Sequence, residues 1–208
     1  MSEASSSQPI EPCQIKIDLP LLKALTQTKR KIHRYFSGEQ ANWLRAVNLA
    51  EFCLPSQFRN GGYYCTPLNS LAFAYTGIEG QHFSFFVSDN AITVDSPIIL
   101  SAPDNYGAEP NIIVAKNFRI FMRLVLMYGS FALTELIYEP TIALQAFTEF
   151  YQVKSPVSHE DIQLSRSVRN FIARDLNLAP YYYQADEFMA LQQQFMSLLE
   201  LPVDNGLS

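Results

Sequence analysis

The chain has 208 residues, of which 48% are hydrophobic and 17% charged, and a formal net charge of -5. That composition supports a substantial core and excludes a broadly disordered chain. The acidic balance argues against bulk attraction to nucleic acid or anionic lipid, and no apolar run approaches the roughly 18 residues of a membrane span.

Residues 1–18 read as a disordered leader, rich in Ser and Pro at its start, without the basic-then-apolar order of a signal sequence. Cys13, Cys53 and Cys65 are widely spaced and form no Cys-x-x-Cys pair. Free thiols in a reducing cytoplasm are the expectation. One α+β domain is expected over 19–202, with a sheet at about 63–116 and a helical part at about 117–202.

The spacing predicts a helix over 19–36, with Leu22, Leu25, Ile32 and Phe36 on its apolar side and Gly38 to stop it. Lys23, Lys29, Arg30, Lys31 and Arg34, with His33 among them, read as its solvated face rather than as a phosphate contact. A second helix is expected over 40–52, anchored by Trp43, Val47 and Phe52, before Pro55 and the pair Gly61-Gly62 break the chain.

The middle changes character. Short runs at 71–75, 82–88, 91–94, 97–102 and 111–115 are rich in β-branched and aromatic residues and bounded by Gly, Pro, Asn or Asp. The intervals are too short for helical crossovers, so a central antiparallel meander is expected. Alternation places Leu71, Phe73 and Tyr75 on one face and Ala72 and Ala74 on the other. It places Phe83, Phe85 and Val87 on one face and His82, Ser84 and Phe86 on the other. Gly77 and Gly80 would supply positive φ to the turn between these strands, with Glu79 at its tip.

The last part reads as helical. Residues 117–128 carry Phe118, Phe121, Leu124, Val125 and Tyr128 on one face, with Asn117 as N-cap and Gly129 as breaker. Further helices are expected over 139–151, from the cap Ser158 to 177, and over 184–201. Arg119 and Arg123 are assigned to a solvated face. Tyr181, Tyr182 and Tyr183 are assigned to packing between helices in preference to a partner surface.

Glu79 and His82 are the residues closest to a catalytic pattern, with Asp89 and Asp95 nearby in sequence. No nucleophile sits on a tight turn beside them, and no second His stands at metal-ligand spacing. His82 therefore reads first as a strand residue bonded to Ser84 or a neighbouring strand. No cofactor, catalytic set or metal site is expected.

The run 52-FCLPSQFRNGGYYCTPLNSLAFAYTGIEGQHFSFF-86, then 95-DSPIILSAP-103 and 111-NIIVAKNFRIFMRL-124, resembles the SUKH superfamily. That group includes fungal cell-wall-synthesis regulators and bacterial toxin-immunity proteins. The resemblance covers about 19–128. It implies a central antiparallel sheet between helices and a non-enzymatic protein-binding role, with immunity against a toxin domain as one form of it. The partner is expected to be another protein, neither membrane nor nucleic acid, and a homodimer is compatible with the sequence. Exposed acids and aromatics at turns, Glu79, His82, Asp89, Asp95, Asp104 and Tyr106, are the contact candidates. Two alternatives stand beside this reading. One is a hydrolase-like enzyme with a site at Glu79, His82 and Asp95. The other is a structural or regulatory protein that oligomerises through its C-terminal helices.

Overall fold

A computed structural model of the chain describes residues 15–35, 51–52, 57–105, 109–149 and 159–202. The fold is α+β. Seven strands occur among these residues: β1 (Lys16–Ile17), β2 (Glu51–Phe52), β3 (Ser70–Tyr75), β4 (His82–Phe86), β5 (Ala91–Ile92), β6 (Ile98–Ser101) and β7 (Asn111–Ala115). The helices are α1 (Pro20–Tyr35), α2 (Phe118–Tyr128), α3 (Ser130–Tyr138), α4 (Pro140–Glu149), α5 (His159–Asp175) and α6 (Ala185–Phe195), with a 3-10 turn at Met196–Leu198.

The main sheet has the order β2-β3-β4-β6-β7, and every neighbouring pair is antiparallel. The expected meander is thus present, with one strand removed from it. Asp89 and Asn90 both have positive φ and turn the chain back on itself at the Ser88–Ala91 bridge. β5 then leaves the sheet and pairs in parallel with β1. The pairing buries Ile92 and Ile15. β1 falls inside 1–18, so residues 15–18 are part of the folded unit rather than leader; residues 1–14, with Cys13, lie outside the described residues. The helix expected over 40–52 ends in strand residues at β2, and 36–50 are likewise outside the description.

A bulge corrects the expected faces of β3. Leu71 pairs with Phe85 and Ala72 with Ser84, but Ala74 pairs with Phe83 and Tyr75 with His82. Phe73 is the extra residue. One inserted residue exchanges the faces of everything after it. Ala74 therefore joins Leu71 and Phe73 in the main core, while Tyr75 moves to the side of His82.

The main core lies on the Phe83/Phe85 face. Phe73, Phe83 and Phe85 are fully buried and meet Phe118 and Phe121 of α2, with ring centroids 4.9 to 5.6 Å apart. α2 starts as its sequence demands: Asn117 Oδ1 accepts from Ile120 N at 2.9 Å. Gly129, at φ 90°, ends it, and α3 departs at 101°. No single helix among the described residues is long and apolar enough to cross a membrane. α1 contributes Leu22, Leu25 and Ile32, and Thr28 and Lys31 tie it to Asp175 of α5 at 2.5 and 2.6 Å.

The opposite face is narrower. Phe86, Ile99 and Ile113 pack on Leu191 of α6, with Phe195, Met196 and Leu199 beside them. Polar bonds complete the attachment. The Gln192 carboxamide accepts from Ile113 N at 3.0 Å and donates to Ile113 O at 2.8 Å, occupying the edge of β7 as another strand would. Tyr183 donates to Val114 O at 2.7 Å. Arg119 is exposed, as expected of a solvated face, and Arg123 is half-buried; both also hold the approach to α6: Arg119 donates to Asn177 O, and Arg123 to Ala179 O and Pro180 O while lying over the Tyr181 ring. Of the three tyrosines, Tyr183 is buried, Tyr181 is half-buried on Glu187, and Tyr182 is exposed.

Candidate functional site

The register aligns Tyr75, His82, Ser101 and Asn111 in one row across β3, β4, β6 and β7. Cross-strand partners share a face, so this row is polar and lies opposite the main core. It marks one end of the sheet. The turn 76–81 and residues 102–105 and 109–110 lie there, and the 60–67 loop lies across the row.

His82 is fully buried. Its Nδ1 lies 2.8 Å from Gly80 O and its Nε2 3.2 Å from Thr66 Oγ1. A carbonyl can only accept, so Nδ1 carries the proton and Nε2 accepts from the Thr66 hydroxyl. Burial lowers the His82 pKa below the ordinary histidine value; the Gly80 carbonyl opposes this without overcoming it. Tyr63 stacks on the ring at a centroid distance of 5.6 Å, and Tyr75 lies at 6.0 Å. Gly61 explains part of the Gly-Gly pair: a Cβ there would collide with Nε2 and lie 2.8 Å from Cε1 of His82. The loop backbone approaches the ring too closely for any side chain. The hydroxyls of Tyr75 and Ser84 find no partner among the described residues, so the expected bond from His82 to Ser84 does not form.

The same loop is fastened to β7 and to Pro103, just after β6. Ser101 Oγ donates to Asn111 Oδ1 at 2.7 Å, and Asn111 Nδ2 donates to Cys65 O at 2.9 Å. Tyr64 donates to Pro103 O at 2.9 Å. Burial pushes the Cys65 thiol up to about 11, which leaves it protonated and unreactive at neutral pH.

Beside this lies a second polar group. Gln81 donates to the Tyr138 hydroxyl at 2.6 Å, Tyr138 donates to Asp104 Oδ2 at 2.5 Å, and Glu79 lies beside them. Burial alone would raise the Asp104 pKa, but the bonds from Tyr138, its own backbone and Gln81 hold it below the usual carboxylate value. Burial and then the Asp104 bond push the Tyr138 phenol upward.

The expected contact residues therefore separate. Glu79 is exposed at a turn whose Gly77 and Gly80 have φ of 80° and 78°, as the sequence implied. Glu79 and Asp104 come together. His82 is withdrawn from the surface and cannot be a contact residue. Asp89 and Asp95 are exposed at the far end of the sheet, on the order of 14 Å away for the four strand steps from His82 to Phe86. Asp95 does not join Glu79 and His82, so the proposed hydrolase-like grouping is not assembled. Tyr106 lies outside the described residues. Among the described residues, no three His, Cys, Asp or Glu side chains converge as metal ligands.

Sequence reasoning missed Tyr63, Thr66, Gln81, Tyr138 and Asn111. A usable signal existed for the row alone: each strand has its polar residue at the same end.

The result is an exposed rim. Tyr63, Tyr64 and Ile78 are 41%, 59% and 46% exposed, and they flank the carboxylates of Glu79 and Asp104. Compared with known family models, with curated proteins and with solved structures, the chain matches none of them.

Proposed function

We propose that the chain is a non-enzymatic protein-binding module of SUKH type, with neutralisation of a toxin domain as the specific role to test. The observation that supports it best is the rim. Three large side chains stand in solvent beside two carboxylates, on loops bonded to one another and to the sheet. Large exposed apolar groups rimmed by polar ones are what partner surfaces present. The acids add charge complementarity to a basic partner, which speeds encounter.

The test is capture from the native cell with the tagged chain and with a Tyr64→Ser/Glu79→Lys variant. A toxin domain recovered in equal amount with the wild type and lost with the variant supports the proposal. A partner held equally by both moves the binding surface elsewhere. A second reading, self-association through the C-terminal helices, is favoured by the groove between α4 and α6, lined by Leu144 and Phe188 and by Met189, which is 53% exposed. It predicts a dimer in solution.

A further inference from the structure

The 61–66 loop carries both rim tyrosines, and its innermost contact is His82. In its neutral form the His82 ring meets what surrounds it: a donor at Nδ1 for Gly80 O and an acceptor at Nε2 for the Thr66 hydroxyl. A proton on Nε2 would place a positive charge in a site with no solvent exposure. The groups facing the ring are Tyr75 from β3, Ser101 from β6, Gly80 O from the turn, and Tyr63 and Thr66 from the loop. None is a carboxylate. Cys65, on the same loop, is protonated, and the rim acids Glu79 and Asp104 do not offset the burial of the ring. Water is the remaining source of solvation, and the Gly61 backbone closes the approach to Nε2. Solvating the cation therefore requires the loop to lift.

The loop is built to do so. Its ends are pinned: Arg59 O accepts from Ala72 N, Asn60 Nδ2 donates to Pro67 O, and Leu68 N donates to Glu200 O. Between them Asn111 donates to Cys65 O and Tyr64 donates to Pro103 O.

We propose that His82 is a proton-operated latch: neutral, it fastens the 61–66 loop over the end of the sheet, and protonated, it releases that loop and withdraws Tyr63 and Tyr64 from the rim. As regulation of binding, this rests on reading the rim as the partner surface. The loop movement itself needs no partner.

The test is a pH titration of the isotope-labelled protein by NMR, in which only three histidines must be assigned. His82 should titrate below the ordinary value of about 6.5. The amides of Gly62 and Thr66 should follow the same midpoint while those of Leu71 and Phe85 stay unchanged. The latched-to-released ratio should fall by up to about tenfold per pH unit below that ordinary value. In His82→Gln the loop should lose this pH dependence. Gly61→Ala provides a second route: it should free the loop at neutral pH and return His82 to about 6.5. The latch is overturned if His82 titrates while the loop amides stay fixed, if loop and core move together, or if Gly61→Ala leaves the loop closed. Any of these leaves the capture experiment on the rim standing, and a failed capture leaves the titration standing.

Discussion

The two faces of the sheet are closed by different means. On one, Phe73, Phe83 and Phe85 interlock with Phe118 and Phe121 and with the side chains of α1 to α5. On the other, a small apolar group is supplemented by discrete polar bonds: His82 to Thr66, Asn111 to Cys65, Gln192 to Ile113, and Asn69 to Leu198 O and Glu200 N. Apolar packing is indifferent to pH and is lost only with the fold. Hydrogen bonds to a titratable or single side chain can be undone one at a time. The first face carries stability, and the second is where local opening is expected.

The largest expected effect is on the first face. Phe85→Ala should cost about 3–5 kcal/mol, measured by denaturant unfolding, because it opens a cavity among rings that cannot collapse. A cost below about 2 kcal/mol would mean the main core is looser than its packing indicates. On the second face, Gln192→Ala leaves Ile113 N and O without their partner. A loss of about 1–3 kcal/mol is expected, with faster amide exchange concentrated at Ile113. Exchange that rises evenly over the chain would erase the distinction between the faces.

The third prediction concerns pH. The folded His82 pKa lies below its unfolded value, so the unfolded chain binds the extra proton first. The contribution of neutral His82 is fully present above about 6.5 and is lost progressively as pH falls through the folded value. Stability of the wild type should decline in that window, and that of His82→Gln should not. Asp175 behaves differently. Its pKa is lowered by hydrogen bonds from Lys31 and then Thr28, so its contribution persists until pH falls below the carboxylate value of about 3.9. Two separate acid windows are thus expected in an unfolding series. The smallest effect is Lys31→Met, which removes a partly exposed ion pair and should change stability by no more than about 1 kcal/mol.

Much of the fold was legible from local pattern. The start of α1, the Asn117 cap, the Gly129 break, the glycine turn at 77–80 and five of the strands follow from short-range rules. So did the assignment of Phe83 and Phe85 to the core. The site was legible only in part. Glu79 at a tip and His82 on the less apolar face were readable, but their neighbours were not. Thr66 and Gly61 are 16 and 21 residues from His82, and Tyr138 is 57 from Gln81. The bonding partners of Arg119 and Arg123 were not readable because they are backbone carbonyls, which have no signature in sequence.

The sequence by itself determined the α+β class, the caps, the turns and the main core of the sheet, because each is set by residues within a few positions of one another. Tertiary structure decided the rest. The bulge at Phe73 put Tyr75 beside His82, β5 left the meander for β1, and the 61–66 loop closed over the histidine. Each depends on which of several compatible pairings buries most apolar surface while satisfying its polar groups, and that balance is struck between segments far apart in the chain.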